Sequence, residues 1–523
     1  MNAQNLHTQE AFRVQTKCTT RSRVKQARIR PRRSLGQRQG RLFAREQRPV
    51  FRNRRVRMEA DHRGEITPYG GLATAVLLAK KLRLDEAVEK ALGLLEFHLP
   101  YGESDHVLTE AYNLFVGGSC IQDIENLQRS KAVQALLGSE RIPDPTTAGD
   151  FLRRFGPLDL KALQAAIDAA RVKVWKKMPR RLRRTATIDI DSHIKEVYGE
   201  CKQGAGFSYT KRWAYHPLLV TLQETGECLR SINRPGNVVS AEGAAETLRE
   251  VFDLARGHFQ RLYLRGDSKF CQREVAALCE EARHAVRFAL VKEASPNVQN
   301  MAENLRESAW TPYLPRPDKL HAPKSGRHRC RRIRHRRAMA LARGYRNLDT
   351  VREWVAEVPY SLTKCPGLFR LIIKRQLIEE RHGQKAFFQR HLYRFVLSNI
   401  PADEMTSKEV VRFAYGRCDQ ENAIEQAKNG LNGFRMPAGS LLANGAYLLC
   451  AQIAWNLRAW LSLIALPSES RPWEWKRFRH AFVYVAAKIV WVAREAVVRI
   501  SAYHRWARPL IRAVNRLRRM PFL

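Results

Sequence analysis

Acidic side chains are scarce in this sequence: 51 Asp and Glu stand against 92 Lys and Arg over 523 residues, a formal charge of +41. Self-repulsion on that scale calls for a negative partner. Basic residues run the whole length of the chain rather than gathering in one amphipathic or juxtamembrane cluster, so a polymer of phosphates fits better than an anionic membrane. Paired cysteines are lacking too. The ten Cys lie scattered between Cys18 and Cys450 with no CxxC and no His/Cys grouping at zinc-ligand spacing, which argues against a disulfide framework or a zinc knuckle and points to a reducing compartment. The first 57 residues are broken throughout by Arg, Lys and Gln, so no secretory signal is read there and export is not expected. Uninterrupted apolar runs are missing as well: residues 441–466 contain Asn444, Gln452, Asn456 and Arg458, and residues 481–493 are short and carry Lys488. Both read as buried helices rather than membrane spans. The expectation is a cytoplasmic, nucleoid-associated protein without a membrane partner.

What is present divides into several units, since a domain usually takes ~100–200 residues. Residues 1–64 read as a basic, disordered arm. Residues 65–180 carry helical periodicity between Gly, Pro and Ser punctuation and read as a mostly helical, DNA-binding domain. Within it, Asp144-Pro145-Thr146-Thr147 precedes residues 148–155. A Thr-capped short helix ending in Arg153 and Arg154 is a candidate for entering a DNA groove, although surface arginines on a helix are commonly just solvated. Residues 181–293 and 401–466 read as two parts of one α/β unit, separated by a β-rich insertion at 294–400 with a basic loop near 324–337 and strands near 369–374 and 393–397. Residues 467–523 read as basic C-terminal helices.

The period changes at residue 186, where Ala186, Ile188 and Ile190 alternate with Thr187, Asp189 and Asp191. That pattern is a strand with one apolar and one acidic face. Further strands are predicted at 218–222, 228–232, 262–264 and 286–291, the first three as an antiparallel meander, with a helix over 269–282 between the last two. Asp267 follows a strand directly, at the end where α/β sheets tend to place chemistry; it also stands where Asp commonly caps a helix. Farther on, Arg417, Glu421, Glu425 and Lys428 share one helical stripe, which is either a site or a solvated charged face. Arg417 and Lys428 flank Glu421 as candidates for phosphate contacts. Trp455, Trp460, Trp473 and Trp475 have helical spacing and read as core rather than as base-stacking platforms.

An Asp on a first strand, an Asp after a later strand and an acid on a downstream helix is the order used by nucleases and transposases of the RNase H-like fold. In-line attack on a phosphodiester uses two Mg²⁺ roughly 4 Å apart, and hard carboxylate oxygens suit that ion. Local patterns agree: Thr67-Pro68-Tyr69-Gly70-Gly71-Leu72, Asp189-Ile190-Asp191-Ser192 followed by Val197-Tyr198-Gly199, Tyr215-His216-Pro217-Leu218 leading to Arg234-Pro235-Gly236-Asn237, Leu264-Arg265-Gly266-Asp267-Ser268, and Arg417-Cys418-Asp419-Gln420-Glu421-Asn422. In these residues the chain resembles the DDE transposases of bacterial insertion sequences, most closely the insertion-sequence-1380 family, from Thr67 almost to the C-terminus. The resemblance implies an α/β chain with an RNase H-like catalytic core interrupted by the β-rich insertion, preceded by the helical domain and followed by C-terminal helices. It implies Asp191, Asp267 and Glu421 as catalytic metal ligands, with Asp189 as alternate to Asp191, two Mg²⁺ for which Mn²⁺ substitutes, and Tyr415 among the DNA contacts. Tyr415 stands one position closer to Arg417 than the family pattern, and His193 and Lys269 replace small or hydroxyl residues. The implied activity is cleavage of transposon ends followed by joining of the 3′-hydroxyls to target DNA, by a homodimer on the terminal inverted repeats. A catalytically inactive DNA-binding relative and an RNase H-like nuclease without strand transfer share most of these features.

Overall fold

Short polar punctuation sets the helices of the first third of the chain. In this computed structural model residues 65–98, 100–313, 348–365, 367–382, 385–416, 418–493 and 495–522 are described; the basic arm at 1–64 and the basic loop at 324–337 lie outside them. Strand β1 (Glu65–Thr67) leads into helices α1 (Leu72–Lys81), α2 (Leu84–Ala91), α3 (Glu103–Val116), α4 (Glu125–Gln128), α5 (Lys131–Leu137), α6 (Pro145–Arg153) and α7 (Pro157–Lys177). Helix α6 starts on Asp144, whose Oδ1 accepts the Thr146 and Thr147 N–H groups at 2.9 and 3.1 Å. The cap is therefore Asp144 and not the threonine expected from sequence: one carboxylate satisfies two orphan donors, and Pro145 at the first helical position has no N–H to satisfy.

The centre of the chain is a sheet. Strands β2 (Thr185–Ser192), β3 (Lys195–Glu196), β4 (Gly206–Phe207), β5 (Trp213–Tyr215), β6 (Leu218–Leu222) and β7 (Glu227–Ile232) are followed by α8 (Ala244–Arg256), β8 (Arg261–Gly266), α9 (Arg273–Glu280), β9 (Arg287–Lys292) and α10 (Pro296–Glu303). Then come β10 (Thr311–Pro312) and three long strands, β11 (Leu348–Tyr360), β12 (Phe369–His382) and β13 (Lys385–Ser398). Nine of these form one mixed sheet in the order β10-β11-β12-β13-β9-β8-β2-β6-β7. Of the strands expected as an antiparallel meander, β6 and β7 pair so, but their third member is β2 and not β8. On the other side of β2, β8 pairs in parallel and β9 continues in parallel. Parallel neighbours require crossovers, and α8 and α9 provide them. Helix α8 is not among the elements expected from sequence, although its buried Leu248, Val251, Phe252 and Ala255 recur at helical spacing. Strand β13 adds to β9 antiparallel, Phe395 opposite Lys292 through Ser398 opposite Ala289, so the β-rich segment prolongs the central sheet.

The C-terminal part supplies the layer that covers one face of it. Helices α11 (Ser407–Tyr415) and α12 (Cys418–Glu425) run into a π turn at Gln426–Gly430, followed by α13 (Leu441–Ile464), α14 (Trp475–Phe482), the hairpin β14 (Ala487–Val492) and β15 (Glu495–Ile500), and α15 (Ala507–Arg519). Helix α13 is buried nearly all round, and its polar residues are buried with partners. Asn456 accepts from the Cys228 N–H and donates to the Cys228 carbonyl, both at 3.0 Å, closing the outer edge of β7, while Gln452 bonds Ser231 Oγ at 2.6 Å and Gln164 at 3.0 Å. No described helix is long and apolar enough to cross a membrane. Residues 481–493 are not the helix expected from sequence: α14 ends at Phe482, and β14 pairs antiparallel with both β15 and β1. The β-branched and aromatic run Ile489-Val490-Trp491-Val492 favours a strand once partners exist on both sides, so residues 467–523 are not helical throughout.

Candidate active site

The register of β2 against β8 decides where the first two acids meet. Ile190 stands beside Gly266 in the parallel ladder, so Asp191 and Asp267 follow as neighbours at the C-terminal ends of adjacent strands, whose spacing is about 4.8 Å. Asp191 is buried, and its Oδ1 accepts the Ser192 N–H at 2.8 Å. Asp267 is half-buried and caps the short turn Ser268–Phe270, accepting the Lys269 N–H at 2.9 Å; the capping role weighed from sequence is present, and the strand-end position is too.

Asp189 lies two residues before Asp191 on the same face, but in different company. It is 2% exposed and takes a two-pronged ion pair from Arg265 on β8, with Nε to Oδ1 and Nη2 to Oδ2 both at 2.7 Å. Arg265 Nη1 also donates to the Phe413 carbonyl at 3.3 Å, tying α11 to the sheet. Fork-to-carboxylate pairing of this kind fixes orientation as well as charge.

Helix α12 comes down on this same face. Antiparallel pairing sets Asp191 opposite Leu219 and Asp189 opposite Thr221; Asn422, Ala423 and Gln426 line one cavity with Asp189 and Thr221, while Ala423 and Ala427 line another with Leu219. Glu421 is part of α12, one residue before Asn422; its side chain and all of Arg417 lie outside the described residues. The helix then opens into the π turn, in which the Leu431 N–H reaches Gln426 O at 2.7 Å. An extra residue per turn removes Lys428 from the α-helical stripe assumed from its spacing, and such turns are frequent at functional sites.

Where Lys428 goes instead is toward the end of β2. Burial, and after it Lys428, Lys195 and His216, push His193 down to about 4. Burial, then Lys428 and Arg435, likewise lower Lys195. His193 lies over Phe434 with ring centres 5.5 Å apart. Lys195 is thus held close to the cations Lys428 and Arg435, a crowding that an anion relieves, so these three, with the neutral His193 beside them, are a candidate for phosphate contact. Sequence reasoning missed Lys195 and Arg435, because no spacing marks a lysine after the strand or an arginine beyond a π turn as neighbours of Lys428. Beside them, His216 Nδ1 lies 3.0 Å from the Val238 carbonyl and Nε2 lies 3.0 Å from Ser192 Oγ. A carbonyl only accepts, so Nδ1 carries the proton, Nε2 accepts from Ser192, and the turn after Asp191 is held in place.

The remaining predicted contacts are placed elsewhere. Tyr415, the last residue of α11, is largely buried against the long strands, with Lys374 Nζ 5.9 Å from its ring centre, and burial raises its phenol. Arg153 is exposed and pairs with Asp150, while the exposed Arg154 donates to the Leu94 carbonyl at 3.2 Å; no described contact brings either to the acids. Trp455, Trp460, Trp473 and Trp475 are all buried, the core role read from their spacing.

Residues 48–522 match the family described as Transposase DDE domain group 1. No curated protein matches the chain. Among solved structures it is similar to the piggyBac transposase seen by cryo-EM in a synaptic complex with hairpin DNA, at 9% identity and a TM-score of 0.31, over 80% of this chain and 84% of that one. That likeness is too slight to bear on the fold, and it is the family match, spanning nearly the whole of the chain, that establishes membership: the chain belongs to the DDE transposases of domain group 1.

Proposed function

We propose that the chain cleaves DNA at transposon ends and joins the exposed 3′-hydroxyls to target DNA, with Asp191, Asp267 and Glu421 as ligands of two Mg²⁺, for which Mn²⁺ substitutes. The observation that carries this reading is the adjacency of Asp191 and Asp267 at the C-terminal ends of parallel strands, in a sheet whose β2–β6 face is lined by residues of the helix that contains Glu421. Hard carboxylate oxygens in a strongly positive protein suit a small divalent cation. When bound, such ions lower the barrier by activating the attacking oxygen and stabilising the leaving one. The strand order β7-β6-β2-β8-β9, in which β6 alone runs against the others, supports an RNase H-like core. The Asp189–Arg265 pair supports Asp191 over Asp189 as the ligand, since Asp189 is already committed to a guanidinium.

The chain's own groups do the rest. His193, Lys195, Lys428 and Arg435 hold the phosphate backbone beside the acids, with Arg417 contributing from the start of α12; Tyr415, Arg153 and Arg154 are further DNA contacts, the last two from the helical domain at 65–180. The substrate is double-stranded DNA, terminal inverted repeats and target, engaged by a homodimer in the cytoplasm of a bacterium. The motifs favour the insertion-sequence-1380 family as the nearest group.

The test is strand cleavage. Asp267→Asn and Glu421→Gln are expected to abolish cutting of DNA bearing the element's ends in Mg²⁺ while leaving DNA affinity within a fewfold, because ligation and phosphate contact are largely separate. Cutting at the parental rate removes that residue from the metal site. Products joined to target DNA separate a transposase from a nuclease of the same fold, and binding without any cutting by the parent identifies an inactive relative.

A further inference from the structure

A second group of ligand-bearing side chains lies in the helical domain. We propose that Glu89, His98 and Glu103 bind one divalent transition cation of the zinc class, which clips the loop between α2 and α3 to both helices.

Glu89 is on α2, Glu103 is the first residue of α3, and His98 lies in the loop between them; one ligand atom from each lies within 4.8 Å of the others. The backbone orients both carboxylates. Glu103 Oε1 accepts the Leu94 and Leu95 N–H groups at 3.0 and 3.2 Å, and Glu89 Oε1 accepts Ser104 N and Oγ at 2.9 and 2.6 Å. A Cβ on Gly102 would fall 2.4 Å from Glu89 Oε1, so the glycine is what leaves room for that carboxylate.

An independent observation points to a ligand. Glu103 is wholly buried, and its Oε2 accepts no hydrogen bond of adequate geometry, with the His98 ring Nε2 2.9 Å away. A buried carboxylate oxygen is normally satisfied by donors or by a metal. One imidazole nitrogen with two carboxylate oxygens is a zinc-type donor set, completed to four by a water on the open side, where His98 is 57% exposed. Mg²⁺ is a poor fit, because it prefers octahedral oxygen and resists dehydration. The loop so held also carries the Leu94 carbonyl that receives Arg154, so the cation steadies the end of α6.

The competing account is a plain His98–Glu103 ion pair, and calorimetric titration of the full chain with ZnCl₂ in excess Mg²⁺ separates the two. The Asp191→Asn, Asp267→Asn background removes uptake by the active site. One equivalent of Zn²⁺ is expected, with affinity falling at least about tenfold in His98→Ala and weakening as pH is lowered, because protons compete for the imidazole. His98 is exposed, so circular dichroism is expected to show the variant folded; Glu89→Gln provides a second loss of ligand. Absence of stoichiometric Zn²⁺ uptake, or uptake unchanged in both variants, overturns the site and leaves the ion pair.

Discussion

Two aspartates a pleat apart on β2 stand in different company because of one cross-strand neighbour. Parallel register puts Arg265 beside Asp189, and a buried pair of this kind is strongly destabilising to break from one side. Asp189→Asn is therefore expected to cost about 3–5 kcal/mol of stability, read by denaturant unfolding, whereas Asp191→Asn leaves unfolding nearly unchanged and removes cleavage. The reverse result exchanges their roles. The order of the acids along the chain is readable in the sequence; that Asp189 and not Asp191 is paired with Arg265 is not, since it depends on strand register that no local pattern encodes. The Glu89, His98, Glu103 group was equally hidden, its members spaced by nine and five residues across a loop. At this scale also lies a pH response. Burial, opposed by Asn113, raises Glu110 from 4.5 to about 8. Between these values the unfolded chain has lost a proton that the native chain keeps, so stability falls as pH rises through that window. Glu110→Gln is expected to remove the fall, gaining a few kcal/mol relative to the parent from pH 5 to pH 8 in melts at each pH; parallel pH profiles for the two proteins contradict it.

Elements reveal where periodicity suffices and where it does not. The alternation of β2 and the apolar run of α13 were readable because each is buried against long partners. Residues 481–493 misled, since a short apolar run is ambiguous between helix and strand until β1 and β15 flank it. The π turn after Glu425 was invisible for a related reason: it is set by tertiary contacts, among them Gln426 Oε1 accepting the Trp475 N–H at 2.8 Å, and it moves Lys428 toward His193. Of the polar residues that argued against a membrane span in 441–466, Gln452 and Asn456 fasten α13 to β7, while Asn444 bonds Ala438 and Arg458 donates to the Arg471 carbonyl. Asn456→Leu leaves the Cys228 backbone groups without their partner and is expected to cost about 1–3 kcal/mol, checked by the shift in denaturant midpoint. An unchanged midpoint means that water replaces the amide.

For the whole molecule, the excess of 41 positive charges is expected to set the behaviour toward the proposed DNA substrate. The slope of log affinity against log salt is expected to be about −0.9 per neutralised phosphate on duplex DNA, and a flat response contradicts electrostatic binding. Composition points to a polyanionic partner; it gives no hint of the nine-stranded sheet, whose continuity comes from β13 pairing with β9 more than a hundred residues earlier in the chain. The central claim is convergence of three acids on one scissile phosphate, and cleavage of supercoiled DNA carrying the element's terminal repeats, with parent and Asp267→Asn compared in Mg²⁺, tests it most directly. The account predicts nicked and joined products from the parent and none from the variant, at comparable DNA occupancy. Equal cleavage by both proteins would contradict it.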